Sequence, residues 1–310
     1  MTPEPPVPDS VPVNVFVSAE PTPGGDDSPT VVLPMQLVSL EDAGRTDVGQ
    51  QRSHNEDEFV IQTLLQRVEN PQTRTLLAHG VYILCDGMGG HDGGEIASAQ
   101  AANFLKQYFE THSPNQLPKE STIRDGILAA NAALYKTNQD NSSYGSGRMG
   151  TTLAMMLVHN TQVALAHVGD SRIYRYTRKN GLEQLTVDHE LGQLEIQRGV
   201  PPEIAYAMPD AYQLTQALGP RDNNFVEPDI RFLELNEDTL FLICSDGLSD
   251  NDLLEESLES HVQPLLSSRT NLETGVTELI DLANECNGHD NITVIVVRAK
   301  VKPNMASLMY

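Results

Sequence analysis

The sequence predicts an α+β fold, a four-layer α/β/β/α sandwich in which two central antiparallel sheets pack face to face between outer helices. Strand-like segments come first, then two helices, then many strands, and finally one helix and one strand. This order lacks the regular alternation of a doubly wound nucleotide-binding fold. Several strands are apolar on both faces, which indicates sheets that are covered on both sides. The 310 residues, 39% of them hydrophobic, are enough for a sizeable core.

Residues 1–36 are predicted to form a flexible Pro- and acid-rich arm outside the sandwich. Nine of the 19 prolines fall within the first forty residues, which show almost no helical or strand periodicity. Such a composition buries too little apolar surface to offset its ordering entropy. We therefore expect a globular domain over residues 37–302 and a short tail at 303–310.

The domain is predicted to begin with strands at 59–66 and 75–85, separated by a turn at Asn70-Pro71. A helix follows, because apolar residues recur every three or four positions. These residues are Ile96, Ala99, Ala102, Leu105 and Phe109. A second helix is expected from Thr122, as the first residue of a capping box, to about residue 138.

The second half of the domain is predicted to be richer in strands. After a Ser- and Gly-rich loop at 141–150, which we expect to be mobile, residues 151–158 and 163–168 resemble a hairpin. Further strands are expected at 173–177 and 292–298. The last helix is indicated by apolar residues at alternating four- and three-residue steps and should end at Asn287-Gly288. Its apolar residues are Leu272, Val276, Leu279, Ala283 and Cys286.

Charge and cysteine content restrict the possible partners and the compartment. The net charge of −23, from 43 acidic and 20 basic residues, disfavours binding to nucleic acid or an anionic membrane and favours cations or cationic peptide segments. The three cysteines are interpreted as reduced core residues. No Lys or Arg precedes Arg45, and no apolar run approaches the roughly 20 residues that span a bilayer. We expect a cytoplasmic monomer.

Four acidic residues occur where apolar strands begin or end. Asp86 and Asp246 each follow an apolar run and precede a glycine, Asp170 follows a third run, and Asp290 precedes a fourth. A carboxylate at the end of a buried strand must be paired or bind a metal, and Mg²⁺ and Mn²⁺ prefer oxygen ligands. A single Asp-Gly more commonly marks a turn. Four such positions together favour a metal site.

A second polar group occurs at Arg52-Ser53-His54-Asn55-Glu56-Asp57. The planar guanidinium of Arg52 is suited to bidentate capture of a phosphate, and Glu56 and Asp57 could reach a metal or its waters. A surface cluster of salt bridges would have the same sequence. This segment alone therefore leaves both interpretations open.

Six motifs of the chain resemble, in the same order, those of the metal-dependent Ser/Thr protein phosphatases of type 2C. They are Arg52…Glu56-Asp57, Asp86-Gly87-Met88-Gly89-Gly90-His91, Gly150-Thr151-Thr152, Gly169-Asp170-Ser171-Arg172, Ser245-Asp246-Gly247 and Asp290-Asn291-Ile292-Thr293. The chain looks like a bacterial-style member, and the resemblance covers roughly residues 37–302. It implies hydrolysis of phosphoserine and phosphothreonine on proteins by a water activated at two or three bound Mn²⁺ or Mg²⁺ ions.

The resemblance also implies a set of metal ligands. Asp86 would bridge two ions, the carbonyl of Gly87 would bind one of them, and Asp246 with Asp290 would hold the other. Asp170 resembles the residue that helps to hold a third, more loosely bound ion in bacterial relatives.

Other residues would act on the water and the substrate. Asp57, with Glu56 nearby, would orient a metal-bound water, and Arg52 would bind the substrate phosphate. Animal and plant relatives have a histidine directly after Asp-Gly as a proposed proton donor, where this chain has Met88, which cannot transfer protons. His91 is the nearest titratable alternative, although a loop histidine with a structural hydrogen bond would fit the sequence equally well.

The segment 188–224 contains a helical stretch at 191–198 that glycines and prolines interrupt, and it shows no regular strand pattern. In relatives the corresponding stretch is a flap beside the metals, and such loops often control access and substrate choice. The alternative is an ordinary surface insertion.

Three other functions remain open at this stage. One is a catalytically silent metal-binding interaction module on the same fold, although the presence of every expected ligand and of Arg52 counts against it. Another is a hydrolase of small phosphomonoesters or phosphotyrosine, which the metal site does not exclude. The last is an acidic cation-binding sandwich without enzymatic activity, which would have no use for Arg52.

Overall fold

The computed structural model describes residues 33–70, 73–89, 93–141 and 148–305. The strands are β1 (Met35–Asp47), β2 (Asp57–Asn70), β3 (Thr73–Met88), β4 (Gly150–Thr151), β5 (Leu153–His159), β6 (Gln162–Val168), β7 (Arg172–Thr177), β8 (Gly181–Gln184), β9 (Asp229–Glu234), β10 (Thr239–Cys244) and β11 (Ile292–Pro303). The α-helices are α1 (Gly93–His112), α2 (Glu120–Asp140), α3 (Leu191–Gln197), α4 (Pro202–Ala205), α5 (Asp246–Ser249), α6 (Leu253–Glu256) and α7 (Leu272–Cys286).

The strands form two sheets whose neighbouring strands are antiparallel. The first sheet has the order β1-β11-β10-β7-β8. The second sheet has the order β2-β3-β5-β6-β9, and β4 pairs with β3 beside it. Each sheet therefore has one edge strand near the N-terminus of the domain, β1 in the first and β2 in the second.

Three buried apolar clusters show how the layers are stacked. One lies between the two sheets and includes Leu84 of the second sheet and Phe241 and Ile295 of the first. A second joins the outer face of the second sheet to α1 and α2. The third joins the outer face of the first sheet to α5, α6 and α7. The predicted α/β/β/α sandwich with two central antiparallel sheets is thus confirmed.

Strand β3 shows why the central strands lack a polar face. Side chains alternate across a strand, so Val81, Ile83 and Cys85 face α1 and α2, whereas Tyr82 and Leu84 face the other sheet. Both sets are completely or almost completely buried. Apolar residues on both faces of a strand are also what predicted, from the sequence, a sheet that is covered on both sides.

The ends of α7 follow local sequence rules. The side chain of Asn271 accepts a hydrogen bond of 3.1 Å from the backbone of Thr274 and caps the first turn. At the other end, Gly288 has φ +43° and donates its N–H to the carbonyl of Ala283. The predicted end at Asn287-Gly288 is confirmed.

Several local predictions were wrong. Helix α2 begins at Glu120 and its N-cap is Lys119, without a side-chain cap. Thr122 therefore lies inside the helix and cannot form the predicted capping box. Ile96 is 51% exposed, because Ala97 and Ala101 face the core in the first turns of α1, whereas the predicted core residues Ala102, Leu105 and Phe109 are buried. Cys286 is exposed at the end of α7 rather than part of the core.

The domain boundaries lie slightly outside the predicted ones. Strand β1 begins at Met35, two residues before the predicted start of the domain, because Met35 pairs with Pro303 at the end of β11. Three other predictions, the arm up to residue 32, the turn at Pro71 and most of the loop at 141–150, lie outside the described residues.

Candidate metal centre

Asp57 and Asp86 lie opposite each other on neighbouring strands. Asp57 is the first residue of β2 and is paired in register with Asp86 near the end of β3. The backbone of Asp86 is fixed by the next strands, since its N–H donates to Thr152 Oγ1 over 3.0 Å and its carbonyl accepts from Thr151 Oγ1 over 2.9 Å. The second sheet therefore brings two carboxylates to one point and holds the backbone of the second.

Ser245, which follows β10 of the first sheet, connects Asp57 to the opposite layer. Its hydroxyl donates a hydrogen bond of 2.8 Å to Asp57 Oδ2 and accepts one of 3.0 Å from the backbone N–H of Thr293 on β11. Asp57 and Ser245 are both buried. This hydrogen bond joins the two sheets at the candidate site and orients the carboxylate of Asp57.

Asp246 and Asp290 come from the same end of the first sheet. Asp246 is the first residue of α5, directly after β10, and Asp290 precedes β11, which is the neighbour of β10. Between them the chains approach too closely for a side chain at Gly247, where an added Cβ would lie 2.1 Å from the carbonyl oxygen of Asn291. Glycine at this position allows the two acidic segments to lie side by side.

Asn291 attaches the segment that carries Arg52 to the site. Its side chain accepts from the backbone N–H of Glu56 over 2.8 Å and donates to the carbonyls of Val48 and His54, each over 2.9 Å. The residue is almost fully buried. The amide of Asn291 therefore determines where the loop 48–56 lies relative to Asp290.

The electrostatics show that the predicted ligands share one environment. Burial raises the pKa of Asp86 well above its ordinary value, and the charges of four neighbouring carboxylates add to the effect. Those neighbours, in order of effect, are Asp57, Asp246, Asp170 and Asp290. Five of the six acidic residues that the sequence singled out, all except Glu56, are therefore close enough for their charges to act on Asp86.

Burial raises the pKa values of three other members of the group as well. Burial raises the pKa of Asp57 to about 6, and hydrogen bonds from Thr293 and Ser245 partly offset this rise. Burial is also the largest cause that raises the pKa of Asp170 to about 6 and the pKa of Asp246 well above the usual range. Mutually repelling, desolvated carboxylates are stabilised either by taking up protons or by binding cations.

Asp170 lies in a turn that the neighbouring strands constrain. Gly169 has φ +111° and leaves no room for a side chain beside Thr152, and Thr152 Oγ1 lies 2.6 Å from the hydroxyl of Ser171. Arg172 on β7 forms a bidentate ion pair with the buried Asp188, at 2.7 to 3.1 Å. The motif Gly-Asp-Ser-Arg thus joins the site to the beginning of the 188–224 segment.

Gly87 is buried where β3 passes the loop 48–56 and the start of α1. Its N–H donates to the carbonyl of Glu56 over 3.1 Å, and an added Cβ would lie 2.2 Å from the carbonyl oxygen of Gly94. A residue other than glycine would push these backbone segments apart. The requirement for glycine here therefore follows from close backbone approach.

Arg52 is exposed and lies at the edge of the carboxylate group. Its Nη2 donates to Asp290 Oδ2 over 2.5 Å, and its side chain keeps 48% of its accessible surface. The sequence had suggested separate roles for the two residues, but the structure pairs them. The guanidinium is nevertheless within the site and open to solvent on its other side.

His91, the predicted proton donor, lies outside the described residues. Met88, which occupies the position of the proposed proton donor in animal and plant relatives, is the last residue of β3 and is partly buried. Its thioether has no proton to transfer.

The donor set fits a hard divalent cation. Asp57 Oδ1 and Asp246 Oδ1 are buried and have no hydrogen-bond partner among the described residues. Buried carboxylate oxygens without partners are costly, and oxygen-rich sites of this type suit Mg²⁺ or Mn²⁺. Within the same residues, however, no three of these acids place their oxygens within 4.8 Å of one another.

A histidine-containing group, His167, His189 and Asp229, does meet that distance criterion. Its nitrogens are already engaged, since His189 Nδ1 accepts from the N–H of Gly169 and His167 Nε2 lies 2.8 Å from the carbonyl of Val187. With Nδ1 as acceptor, Nε2 of a neutral His189 carries the proton that points at Asp229. We interpret this group as a hydrogen-bonded cluster rather than a metal site.

Three residues with clear structural roles were missed by the sequence interpretation, namely Ser245, Asn291 and Thr152. Each lies beside a predicted ligand or inside one of the six motifs, and this position could have indicated its role. Neutral polar side chains next to candidate ligands are the usual source of hydrogen bonds that orient those ligands.

The chain is similar to known proteins in both sequence and fold. The family description "Protein phosphatase 2C" matches residues 71–282. Protein phosphatase PhpP of Streptococcus pneumoniae is 32% identical over 254 residues, which cover 81% of this chain and 94% of that protein. The solved serine/threonine phosphatase of S. agalactiae is 31% identical with a TM-score of 0.65, over 84% of this chain and 99% of that one.

A further solved relative carries metal ions. The catalytic domain of the serine/threonine protein phosphatase PstP, in complex with two manganese ions, is 27% identical with a TM-score of 0.63 over 86% of this chain and 99% of that one. Fold and site together therefore define an enzyme of the protein serine/threonine phosphatase class. More particularly, the chain belongs to the protein phosphatase 2C family.

Within the described part of the chain, no helix combines the length and the apolar character needed to cross a lipid bilayer.

Proposed function

We propose that this protein hydrolyses phosphoserine and phosphothreonine on protein substrates with the aid of bound Mn²⁺ or Mg²⁺. The observation that carries the proposal is the group of five carboxylates beside an exposed guanidinium at one end of the two sheets. Family membership supports it, because the named relatives are serine/threonine phosphatases. The complex of PstP with manganese supports the choice of metal.

Asp86, the carbonyl of Gly87, Asp246 and Asp290 are the proposed ligands of two ions, and Asp170 is the proposed ligand of a third. Oδ1 of Asp246, which has no hydrogen-bond partner in the described part of the chain, and the raised pKa values of Asp86 and Asp246 support this set. Divalent ions in such a site lower the pKa of water and neutralise charge on the oxygens of a phosphoryl group.

Asp57 is proposed to hold the attacking water. Its Oδ2 accepts from Ser245 and is occupied, while Oδ1 has no partner among the described residues. The fixed carboxylate therefore has one free acceptor with which it can orient a water and receive its proton. Since the nucleophile is a water, no phosphoenzyme is expected.

Arg52 is proposed to bind the phosphate of the substrate. Its exposed fork can form two parallel hydrogen bonds to phosphate oxygens. His91 is proposed to protonate the leaving serine or threonine oxygen. If His91→Ala turned over a substrate with a poor leaving group as fast as the unchanged protein, another proton donor would have to be assigned.

The proposal is tested by phosphate release from a phosphothreonine peptide in a Mn²⁺ titration, with a chelator as control. We expect turnover that rises with Mn²⁺, saturates, and disappears in excess chelator. A matched phosphotyrosine peptide and a small phosphomonoester separate the protein-directed activity from that of a general hydrolase. Turnover that is absent, or that persists in the chelator, would favour the silent binding module or overturn the metal assignment.

The flexibility of the arm before β1, the catalytic role of the domain, the tail after β11, the monomeric state and the cytoplasmic location stay predictions. Size-exclusion chromatography coupled to light scattering tests the monomer directly.

A further inference from the structure

A cavity of about 860 Å³ lies next to the candidate metal centre. Its lining includes Asp250, four residues after the proposed ligand Asp246, and His289, which directly precedes the proposed ligand Asp290. The opposite wall is formed by Tyr206 and Tyr212 of the 188–224 segment. We call this space the tyrosine cavity.

The charges in the tyrosine cavity do not cancel. Arg172 is neutralised by its bidentate ion pair with Asp188, and Asp250 lies 3.2 Å from His289 Nε2. Asp252 is exposed, and its carboxylate has no hydrogen bond or ion pair among the residues that the structure describes. The lining therefore has a surplus of negative charge, to which Asp252 contributes an uncompensated carboxylate.

The backbone presents Asp252 in a fixed way. Asn251 and Asp252 both have left-handed backbone angles, with φ +59° and +55°, and the side chain of Asn251 donates to Asn287 Oδ1 over 3.0 Å. Asx residues tolerate this conformation better than most others. The turn places the Asp252 carboxylate on the cavity wall rather than in the helical path of α6, which begins at the next residue.

The aromatic wall suits a cationic side chain. The rings of Tyr206 and Tyr212 lie 5.3 Å apart, and the hydroxyl of Tyr206 donates to Glu190 Oε2 over 3.0 Å. Tyr212 is 70% exposed, so one ring face is open to the cavity or to solvent. Lysine and arginine are attracted both to an aromatic face and to carboxylates, whereas an anionic segment would be repelled here.

We propose that the tyrosine cavity binds a lysine or arginine side chain that flanks the phosphorylated residue of a protein substrate. The inference rests on the proposed function, because it assigns the substrate class of the same site. It makes the enzyme selective for phosphosites in basic sequence contexts. Tyr212 supplies the aromatic face, and Asp252 supplies the charge.

The test uses three labelled phosphothreonine peptides that differ in the residues on both sides of the phosphothreonine, which are arginine, alanine or glutamate. Equilibrium binding is measured by fluorescence anisotropy in chelator, where no turnover is expected, and kcat/KM is then measured with Mn²⁺. The arginine peptide should bind about fivefold more tightly than the alanine peptide, as for an exposed ion pair with a cation–π contact, and the glutamate peptide should bind most weakly. Salt should reduce the difference.

Two variants locate the effect. In Asp252→Asn and in Tyr212→Ala the ratio between arginine and glutamate peptides should fall about two- to fivefold, while Asp281→Asn, an exposed acid on α7, should keep the wild-type ratio. Equal binding of the three peptides, or a preference that survives both substitutions, would overturn the inference. Failure of turnover with every peptide contradicts the proposed function instead, and the binding ratios then still decide the cavity assignment.

Discussion

Arg52 and Asp290 are joined by a hydrogen bond of 2.5 Å between Nη2 and Oδ2. Because the pair is partly exposed, it stabilises the fold only slightly. The pair matters for function instead, because the proposed phosphate-binding residue and a proposed metal ligand are hydrogen-bonded to each other. Replacing either one should therefore change the behaviour of the other.

Arg52→Ala should lower kcat/KM for a phosphothreonine peptide about 10- to 100-fold, the effect of losing hydrogen bonds to a charged group. The same variant should bind Mn²⁺ more tightly, because Asp290 loses its competing cation. Steady-state kinetics and isothermal titration calorimetry measure the two effects. Arg52→Lys, which keeps the charge but not the fork, should restore the metal affinity of the unchanged protein and only part of kcat/KM. Unchanged kcat/KM in Arg52→Ala would remove Arg52 from the phosphate site.

Asp246→Asn should abolish phosphate release without loss of the fold. In chelator its melting temperature should be equal to or above that of the unchanged protein, because the substitution removes one of several buried, mutually repelling carboxylates. Far-UV circular dichroism and thermal melts check the fold, and Asp281→Asn serves as the surface control. An active Asp246→Asn variant would refute the ligand assignment.

Ser245→Ala should destabilise the protein by about 1–3 kcal/mol, because it removes a hydrogen bond to the buried Asp57 Oδ2 and one from the N–H of Thr293. Urea unfolding measures the change, with the exposed Ser268→Ala as control. In the Asp57→Asn variant, Ser245→Ala should lower the free energy of unfolding by a different amount, because the two side chains are in contact. Strict additivity in this double-mutant cycle would argue against the hydrogen bond between the sheets.

His167 should make the protein less stable in mild acid. Burial, followed by the neighbouring His189, lowers the pKa of His167 below its ordinary 6.5. Below pH 6.5 the unfolded chain therefore takes up a proton that the folded chain does not, and stability falls as the pH drops. His167→Gln should reduce this loss by up to about 1.4 kcal/mol per pH unit, as measured by urea unfolding from pH 7 to 5. His112→Gln, at an exposed position on α1, serves as the surface control.

Much of the fold was predictable because its signals are local. Strands that are apolar on both faces, such as β3 and β10, indicated covered sheets, and Asn287-Gly288 indicated the end of α7. Strand β9 gave no such signal, because its sequence is mixed and most of its residues are exposed on a sheet edge. The false capping box at Thr122 shows that a short motif does not determine a helix start when the preceding residues also favour the helix.

The candidate site was predictable as a set of residues but not as an arrangement. Strand ends marked Asp86, Asp170, Asp246 and Asp290 individually. Their convergence depends on the strand order in two sheets, which no local pattern encodes. The hydrogen bonds of Ser245 and Asn291 join residues that are 188 and up to 243 positions apart in the chain. The Arg52–Asp290 pair is likewise a product of tertiary structure.

The carboxylates of the candidate site are contributed by both halves of the sandwich, with Asp57 and Asp86 on strands of one sheet and Asp246 and Asp290 next to strand ends of the other. The affinity for cations should therefore depend on the relative position of the two sheets. A conservative change in the interior between them, such as Ile243→Val, would alter ligand spacing before it weakened cooperative folding. In this architecture, we expect substitutions between the sheets to change cation affinity through the spacing of the carboxylates.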